Sequence, residues 1–94
     1  MKVYMFQKIE NVYEYHECYI HEELFYKYED AVKYLEAIYE STIEEIEEDY
    51  CVEGESADDY CEIIRYSESY YTIIMEDEFY MSFKIHEKTI MNFN

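Results

Sequence analysis

A long stretch of helical periodicity, flanked by stretches of strand periodicity, is the feature that most constrains the fold of this chain. From residue 29 to residue 49, apolar side chains recur at intervals of three and four, the pattern of an amphipathic helix with one buried face. This apolar stripe consists of Val32, Leu35, Tyr39, Ile43, Ile46 and Tyr50, broadened by Ala31 and Ile38. At ~1.5 Å per residue the helix is about 30 Å long. The rest of the chain must therefore supply a surface that covers this stripe.

Alternating apolar residues on both sides of the helix predict strands. Period two is found in residues 2–9, 12–20, 61–66, 70–75 and 79–86. We expect a turn at Glu10 and Asn11 and, around the chain's one glycine, Gly54, a loop over residues 53–59. The order ββαβββ with short connections predicts an α+β domain, in which one helix covers an antiparallel sheet of about five strands.

The predicted second strand places three tyrosines on one face. Tyr13, Tyr15 and Tyr19 alternate with polar residues, and we predict that they pack beneath the helix. The 94 residues allow one domain, residues 1–94, with one modest core. Because half of the residues are hydrophobic and a fifth are aromatic, the chain is too apolar to be a disordered acidic tail.

The net charge is the second strong feature of the sequence. The chain has 24 acidic and 7 basic residues, which gives a formal charge of −17. A magnitude of about 2 to 8 is sufficient to keep a small domain soluble, so solubility does not account for it. Such a charge repels nucleic acid and anionic membrane surfaces and favours encounter with basic proteins. The composition therefore predicts a positively charged protein partner, with no direct nucleic-acid binding and no membrane binding.

The cysteine count and the hydropathy pattern bear on the compartment. Cys18, Cys51 and Cys61 are odd in number and lack the spacing of a disulfide framework, so we predict three free thiols in a reducing compartment. The N-terminal residues lack the apolar run of a signal peptide, and no uncharged apolar run approaches the ~18 residues of a membrane span. We expect a soluble, cytoplasmic protein.

No catalytic or metal-binding signature is found in the sequence. His16, Cys18 and His21 lack the spacing of a zinc site, which needs three or four converging ligands. A calcium loop starting at Asp49 would place Tyr60 at the twelfth position, where a bidentate glutamate is required. We therefore predict that the protein is not an enzyme and uses no metal or other cofactor.

One segment concentrates the negative charge. Residues 34–64, which we call the acidic segment, contain twelve carboxylates and no basic residue. Like charges at i, i+4 spacing along the helix cost a few tenths of a kcal/mol per pair, and acids near its C-terminus oppose the macrodipole. Local stability therefore does not explain this sequence. Over ~30 to 40 Å of helix and loop the carboxylates give one charge per roughly 2.5 to 3.5 Å, against ~1.7 Å for duplex DNA.

The candidate partner-binding residues follow from this segment. Tyr50, Tyr60 and Tyr66 lie in or beside it, and tyrosine supplies large contact area at low entropy cost. The predicted site consists of Glu36, Glu40, Glu44, Glu47, Glu48, Asp49, Tyr50, Glu53, Glu55, Asp58, Asp59, Tyr60 and Glu62.

In size, charge and interleaved tyrosines, the chain resembles the small acidic DNA-mimic inhibitors of bacteriophages, which include anti-CRISPR, anti-restriction and uracil-DNA glycosylase inhibitor proteins. The resemblance rests on residues 34–64 and on no family motif. It implies a stoichiometric inhibitor that blocks the nucleic-acid-binding groove of a basic enzyme in the bacterial cytoplasm. The first target that it implies is a Cas nuclease. A homodimer is compatible with these features.

Other functions are compatible with the same residues. An immunity protein or antitoxin that neutralises a basic nuclease toxin would use the same electrostatics, and the genomic neighbourhood would distinguish the two. A phage structural or assembly protein with a merely solvated acidic face would show interactions that are insensitive to salt. Adaptation to high salt is a further source of acidity, although glutamate (19) far outnumbers aspartate (5) here.

Overall fold

The computed structural model describes residues 1–91 and confirms the predicted α+β class and the order ββαβββ. The predicted domain, residues 1–94, extends three residues beyond the described part. A short 3₁₀ turn (Ala57–Asp59) follows the helix. The strands and the helix are β1 (Lys2–Val12), β2 (Glu17–Phe25), α1 (Tyr28–Tyr50), β3 (Glu62–Ser67), β4 (Tyr70–Met75) and β5 (Phe79–Thr89).

The five strands form one antiparallel sheet in the order β2-β1-β5-β4-β3. Three of the four strand pairs are hairpins between consecutive strands. The fourth pairs β1 with β5 along eleven residues, with Phe6 opposite Ile85. This long-range pairing places the N-terminal strand inside the sheet, next to the C-terminal one, and makes β2 and β3 the two edges.

The core lies between α1 and one face of the sheet. Phe6, Leu35, Ile73 and Phe83 are each fully buried there. The helix buries Ala31, Leu35, Tyr39, Thr42 and Ile46, at the predicted three- and four-residue spacing. The predicted stripe is thus largely confirmed, although Tyr50 at its end remains 44% exposed.

One buried helix position, Thr42, was not part of the predicted stripe. Its hydroxyl donates a hydrogen bond to the carbonyl oxygen of Ile38 (2.8 Å) and accepts one from the Lys8 Nζ (3.2 Å). A threonine can be buried here because both its hydrogen-bonding functions are satisfied. Hydrophobic periodicity alone does not detect such a position.

The boundaries predicted for the second strand are wrong. The expected strand at residues 12–20 lies instead at Glu17–Phe25, because β1 continues to Val12, which pairs with both Glu17 and Phe79. The turn is at residues 13–16 rather than at Glu10 and Asn11. Here His16 adopts a positive φ of 52°, which lets the chain reverse.

The predicted packing of three tyrosines beneath the helix is also wrong. Tyr13, Tyr15 and Tyr19 are 45%, 65% and 53% exposed. The first two lie in the turn, and Tyr19 lies on an edge strand. On β2, the side chains that pack towards the helix are instead His21 and Phe25, whose rings lie 6.0 and 5.2 Å from the ring of Tyr34.

The cysteines are free thiols, as the odd count predicts: Cys18 is exposed, Cys51 is half-buried and Cys61 is buried. Burial, with the charges around the helix end, raises the pKa of both Cys51 and Cys61. Within residues 1–91, no helix combines the length and apolar character needed to span a bilayer.

Candidate functional site

The acidic segment begins on the helix. Seven of its twelve carboxylates lie on α1, four lie in the loop after it, and Glu62 lies on β3. The first turn of α1 contains Glu29 and Asp30, which suit the helix dipole, but the last turn contains no basic residue. The helix continues to Tyr50 because burial of its apolar stripe outweighs the repulsion among its acids.

The outward face of α1 presents an acidic row. Glu40, Glu44 and Glu48 follow one another at four-residue spacing, and all three are exposed. Eight residues of helix, about 12 Å, separate the first from the last. This row is the most regular part of the predicted site, and it points away from the core.

Almost no cation neutralises this charge. Within residues 1–91 the structure has two ion pairs, Lys2 with Glu87 (3.4 Å) and His21 with Glu23 (3.9 Å), and neither involves the acidic segment. Two cations, Lys33 and Arg65, bound the segment in sequence, and Arg65 lies over aromatic rings. Its guanidinium carbon is 4.8 Å from the ring centroid of Tyr39 and 5.2 Å from that of Tyr71. The carboxylates of the acidic segment therefore have no ion-pair partner within residues 1–91, and most of them are exposed.

The structure gives Glu36 a different role from the outward row. It is half-buried, and its carboxylate accepts a hydrogen bond from the hydroxyl of Tyr71 on β4. Burial, together with this bond to a carboxylate, raises the pKa of Tyr71 to about 12. Of the predicted site residues, Glu36 thus ties the helix to the sheet rather than presenting its charge.

The Tyr71–Glu36 pair predicts an alkaline weakness of the fold. Because the pKa of Tyr71 is about 12 in the folded protein and 10.0 in the reference state, stability should fall as pH rises from 10 to 12. We expect this effect to be roughly 1 to 3 kcal/mol. Tyr71→Phe should be about 1 kcal/mol less stable than wild type at pH 7, with a gap that narrows as pH rises.

Urea unfolding at a series of pH values measures this gap. The matched control is Tyr15→Phe, in the exposed turn between β1 and β2, which is expected to follow the wild-type curve. A stability difference between wild type and Tyr71→Phe that stays constant from neutral to alkaline pH would contradict this account.

The loop after the helix is shaped by its own acids. Glu55 accepts hydrogen bonds from the backbone N–H of Val52 (2.9 Å) and from the hydroxyl of Tyr60 (2.6 Å). The hydrogen bond from the Tyr60 hydroxyl to the Glu55 carboxylate raises the pKa of Tyr60 to about 12. Asp59 caps the 3₁₀ turn by accepting a bond from the Ser56 N–H (2.9 Å). Two of the predicted binding carboxylates therefore also hold the loop in place.

Helix and loop together enclose a shallow acidic hollow. Residues 51–54 line one part of it, and Gly54 there has a φ of 89°. The carboxylates around it are Glu44, Glu47, Glu48, Glu53 and Glu55. The structure thus brings the last two turns of the helix and the first half of the loop into one acidic surface.

Glu62 is separated from that surface. It pairs with Ile74 on β4, whereas the neighbouring Ile63 pairs with the buried Ile73. Because strand residues alternate between faces, Glu62 lies on the sheet face opposite to the helix. Tyr66, also named from the sequence, is on that opposite face, where its ring stacks on Tyr70 at 4.7 Å.

The tertiary structure adds acids that the predicted site did not include. Glu10 on β1 and Glu45 on the helix line one groove beside Asp49 and Tyr50. Burial is the largest cause that raises the pKa of Tyr50. The negative charges of Glu78, Asp49 and Glu10 raise it further. Glu45 was within reach of sequence analysis, since it lies in the acidic run. Glu10 and Glu78 were not, because only the strand pairing and the packing of α1 on the sheet bring them beside Tyr50.

Fold and site together define a class of protein: a small α+β domain in which the helix α1 carries an exposed acidic surface. No protein-family model, curated protein or solved structure matches this chain.

Proposed function

We propose that this protein is a stoichiometric inhibitor whose acidic helix enters the nucleic-acid-binding groove of a basic enzyme. One observation carries the proposal: apart from the inward-turned Glu36, six carboxylates lie within residues 40–49 of α1, and none has an ion-pair partner within residues 1–91. This stretch is ~15 Å long, which gives one charge per roughly 2.5 Å. Each strand of duplex DNA has one charge per ~3.4 Å. A groove that grips phosphates would therefore meet a similar charge spacing.

The rigidity of the helix supports this function. Tyr39 anchors α1 to the sheet through edge-to-face contacts with Tyr71 (4.9 Å) and Phe83 (5.9 Å). Carboxylates on a docked helix lose less conformational freedom on binding than carboxylates on a mobile tail. Tyr60, 42% exposed, is hydrogen-bonded to Glu55 of the acidic hollow, and Tyr50, 44% exposed, lines the separate groove beside Glu45 and Asp49. Both tyrosines offer anchoring contacts of the kind that dominate interfaces.

The proposed partner is a basic nucleic-acid-binding protein in the bacterial cytoplasm. Among such proteins a Cas nuclease is the first to test, since the acidic segment resembles those of anti-CRISPR proteins. An inhibitor of this kind needs no catalytic residue and no cofactor. With a charge of −17, the protein itself binds no nucleic acid.

Displacement of a labelled duplex from its enzyme tests the proposal. Increasing amounts of this protein are added to a complex of a Cas nuclease with fluorescent DNA, and anisotropy reports the DNA that is released. We expect complete release near one inhibitor per enzyme. The affinity for the enzyme should fall steeply from ~0.1 M to ~1 M salt, because the Debye length shortens from ~10 to ~3 Å.

Two results would contradict mimicry. The first is tight binding that leaves the DNA on the enzyme, and the second is an affinity that does not change with salt. Direct binding of this protein to the labelled duplex alone, run in parallel, would also be incompatible with it.

A further inference from the structure

The sheet face opposite to α1, which we call the open face, is not covered by any element of residues 1–91. Strand alternation and the observed registers place a broad apolar surface there. Three of its side chains are strongly exposed: Ile20 (59%), Leu24 (64%) and Tyr66 (58%). Its other apolar and aromatic members are half-buried: Met5, Ile9, Ile64, Tyr70, Ile74 and Tyr80. Val3 lies on the same side of the sheet but is buried.

The open face differs from the rest of the molecule in charge. The carboxylates at its register positions are Glu22 and Glu62, and the lysines are Lys84 and Lys88. Their formal charges cancel, so the whole net charge of −17 belongs to the remainder of the chain. This face is therefore the part of the surface on which two copies of so acidic a protein can meet without strong repulsion.

The aromatic part of the open face is organised in advance. The rings of Tyr66 and Tyr70 stack at 4.7 Å with an angle of 17° between their planes. The Lys84 ammonium lies 5.3 Å from the centroid of the Tyr70 ring. On the other half of the face, Gln7 links His86 (3.1 Å) to Glu22 (3.2 Å) by hydrogen bonds. Tyrosines held in this way lose little entropy when they are buried in an interface.

The size of the open face suits a stable dimer. Five strands at ~4.8 Å spacing are about 24 Å across, and strands of this length give roughly 25 Å in the other direction. The footprint is thus roughly 600 Å² on each copy, or about 1,200 Å² in total. A biological interface needs about 1,000 Å² or more.

We propose that the open face is the interface of a homodimer in which two sheets pack face to face about a two-fold axis. This arrangement keeps the two acidic surfaces apart. With successive layers roughly 10 Å apart, the two α1 helices lie ~30 Å from each other, more than three Debye lengths at ~0.15 M salt. The dimer presents one acidic helix on each outer side, and its existence does not depend on the proposed inhibitory function.

Analytical ultracentrifugation over a range of protein concentrations tests this dimer. We expect wild type to sediment as two chains of 11.7 kDa each. The triple variant Ile20→Thr, Leu24→Thr, Tyr66→Thr removes the three most exposed apolar side chains of the face and places threonine, which suits strands, at each position. It should raise the dimer dissociation constant roughly 100-fold or more, because each substitution occurs twice in the interface.

The matched control replaces three exposed apolar residues that are not on the open face: Tyr15→Thr, Tyr19→Thr, Val52→Thr. Tyr19 belongs to the same edge strand as Ile20 and Leu24, so this variant also tests pairing through the β2 edge. The control should remain dimeric, and added salt should not weaken the dimer, in contrast to target binding. A monomeric wild type at ~100 μM, or a dimer unaffected by the open-face substitutions while the variant remains folded by circular dichroism, would overturn the proposal.

Discussion

Replacing Glu40, Glu44 and Glu48 together with lysine is expected to weaken target binding roughly 100-fold or more, while the protein stays as stable as wild type. Like charges brought together in an interface cost several kcal/mol, and a groove built for phosphates would now face cations. Because all three side chains are exposed, the core is untouched. The substitutions also place cations beside the remaining helix acids and near the negative end of the dipole, which adds a few tenths of a kcal/mol each.

The control for this variant must lie at the other end of the molecule. Glu10 and Glu78 are unsuitable, because both act on Tyr50 at the acidic end. Glu23, Glu29 and Glu87 are exposed and lie towards the end of the sheet where α1 begins, so Glu23→Lys, Glu29→Lys, Glu87→Lys produces the same change of net charge.

DNA displacement and thermal unfolding are measured for both triple variants. The helix variant should lose inhibition at unchanged or higher melting temperature, and the control should retain most of it. Equal losses of inhibition in the two variants would mean that target binding depends on the overall net charge rather than on the helix surface. No loss in either variant would indicate that the acidic face is merely solvated.

Phe83→Ala is expected to show the opposite behaviour, a large loss of stability with little change in the affinity of the folded protein. The Phe83 ring is fully buried on β5, in edge-to-face contact with Tyr39 of the helix. Lys8 also lies 5.5 Å from its centroid. Removing such a ring from a packed core costs about 3 to 5 kcal/mol in lost burial and in the cavity that remains. Urea unfolding measures this cost.

Affinity measured well below the melting temperature separates folding from binding in this variant. If the helix surface carries recognition, the folded fraction of Phe83→Ala should bind with nearly wild-type affinity. Tyr15→Ala removes an aromatic ring of similar size from an exposed turn, and it should change stability by less than about 0.5 kcal/mol. A stability of Phe83→Ala within that same range would contradict the placement of this ring at the centre of the core.

Much of the fold was predictable because it depends on local periodicity. The helix predicted at residues 29–49 occupies Tyr28–Tyr50, and the strand predicted at residues 70–75 is β4. In both segments the residues that must be buried repeat with the period of the element itself. The second strand was misplaced because alternating tyrosines continue through a turn, where alternation has no structural meaning. Its correct start depends on β1, which continues to Val12, where it pairs with Glu17 and with Phe79 far along the chain.

The sequence by itself determined that one helix would carry a dense row of carboxylates, because Glu40, Glu44 and Glu48 follow the helical repeat on the side away from the apolar stripe. Only the tertiary structure decided which acids act together. It turned Glu36 inward to the hydroxyl of Tyr71 and placed Glu62 on the opposite sheet face. It also brought Glu10 and Glu78 beside the helix end, and it left a neutral face behind the sheet. The physical reason is that spacing along an element sets which side chains share a face, whereas pairing between distant strands sets which faces meet.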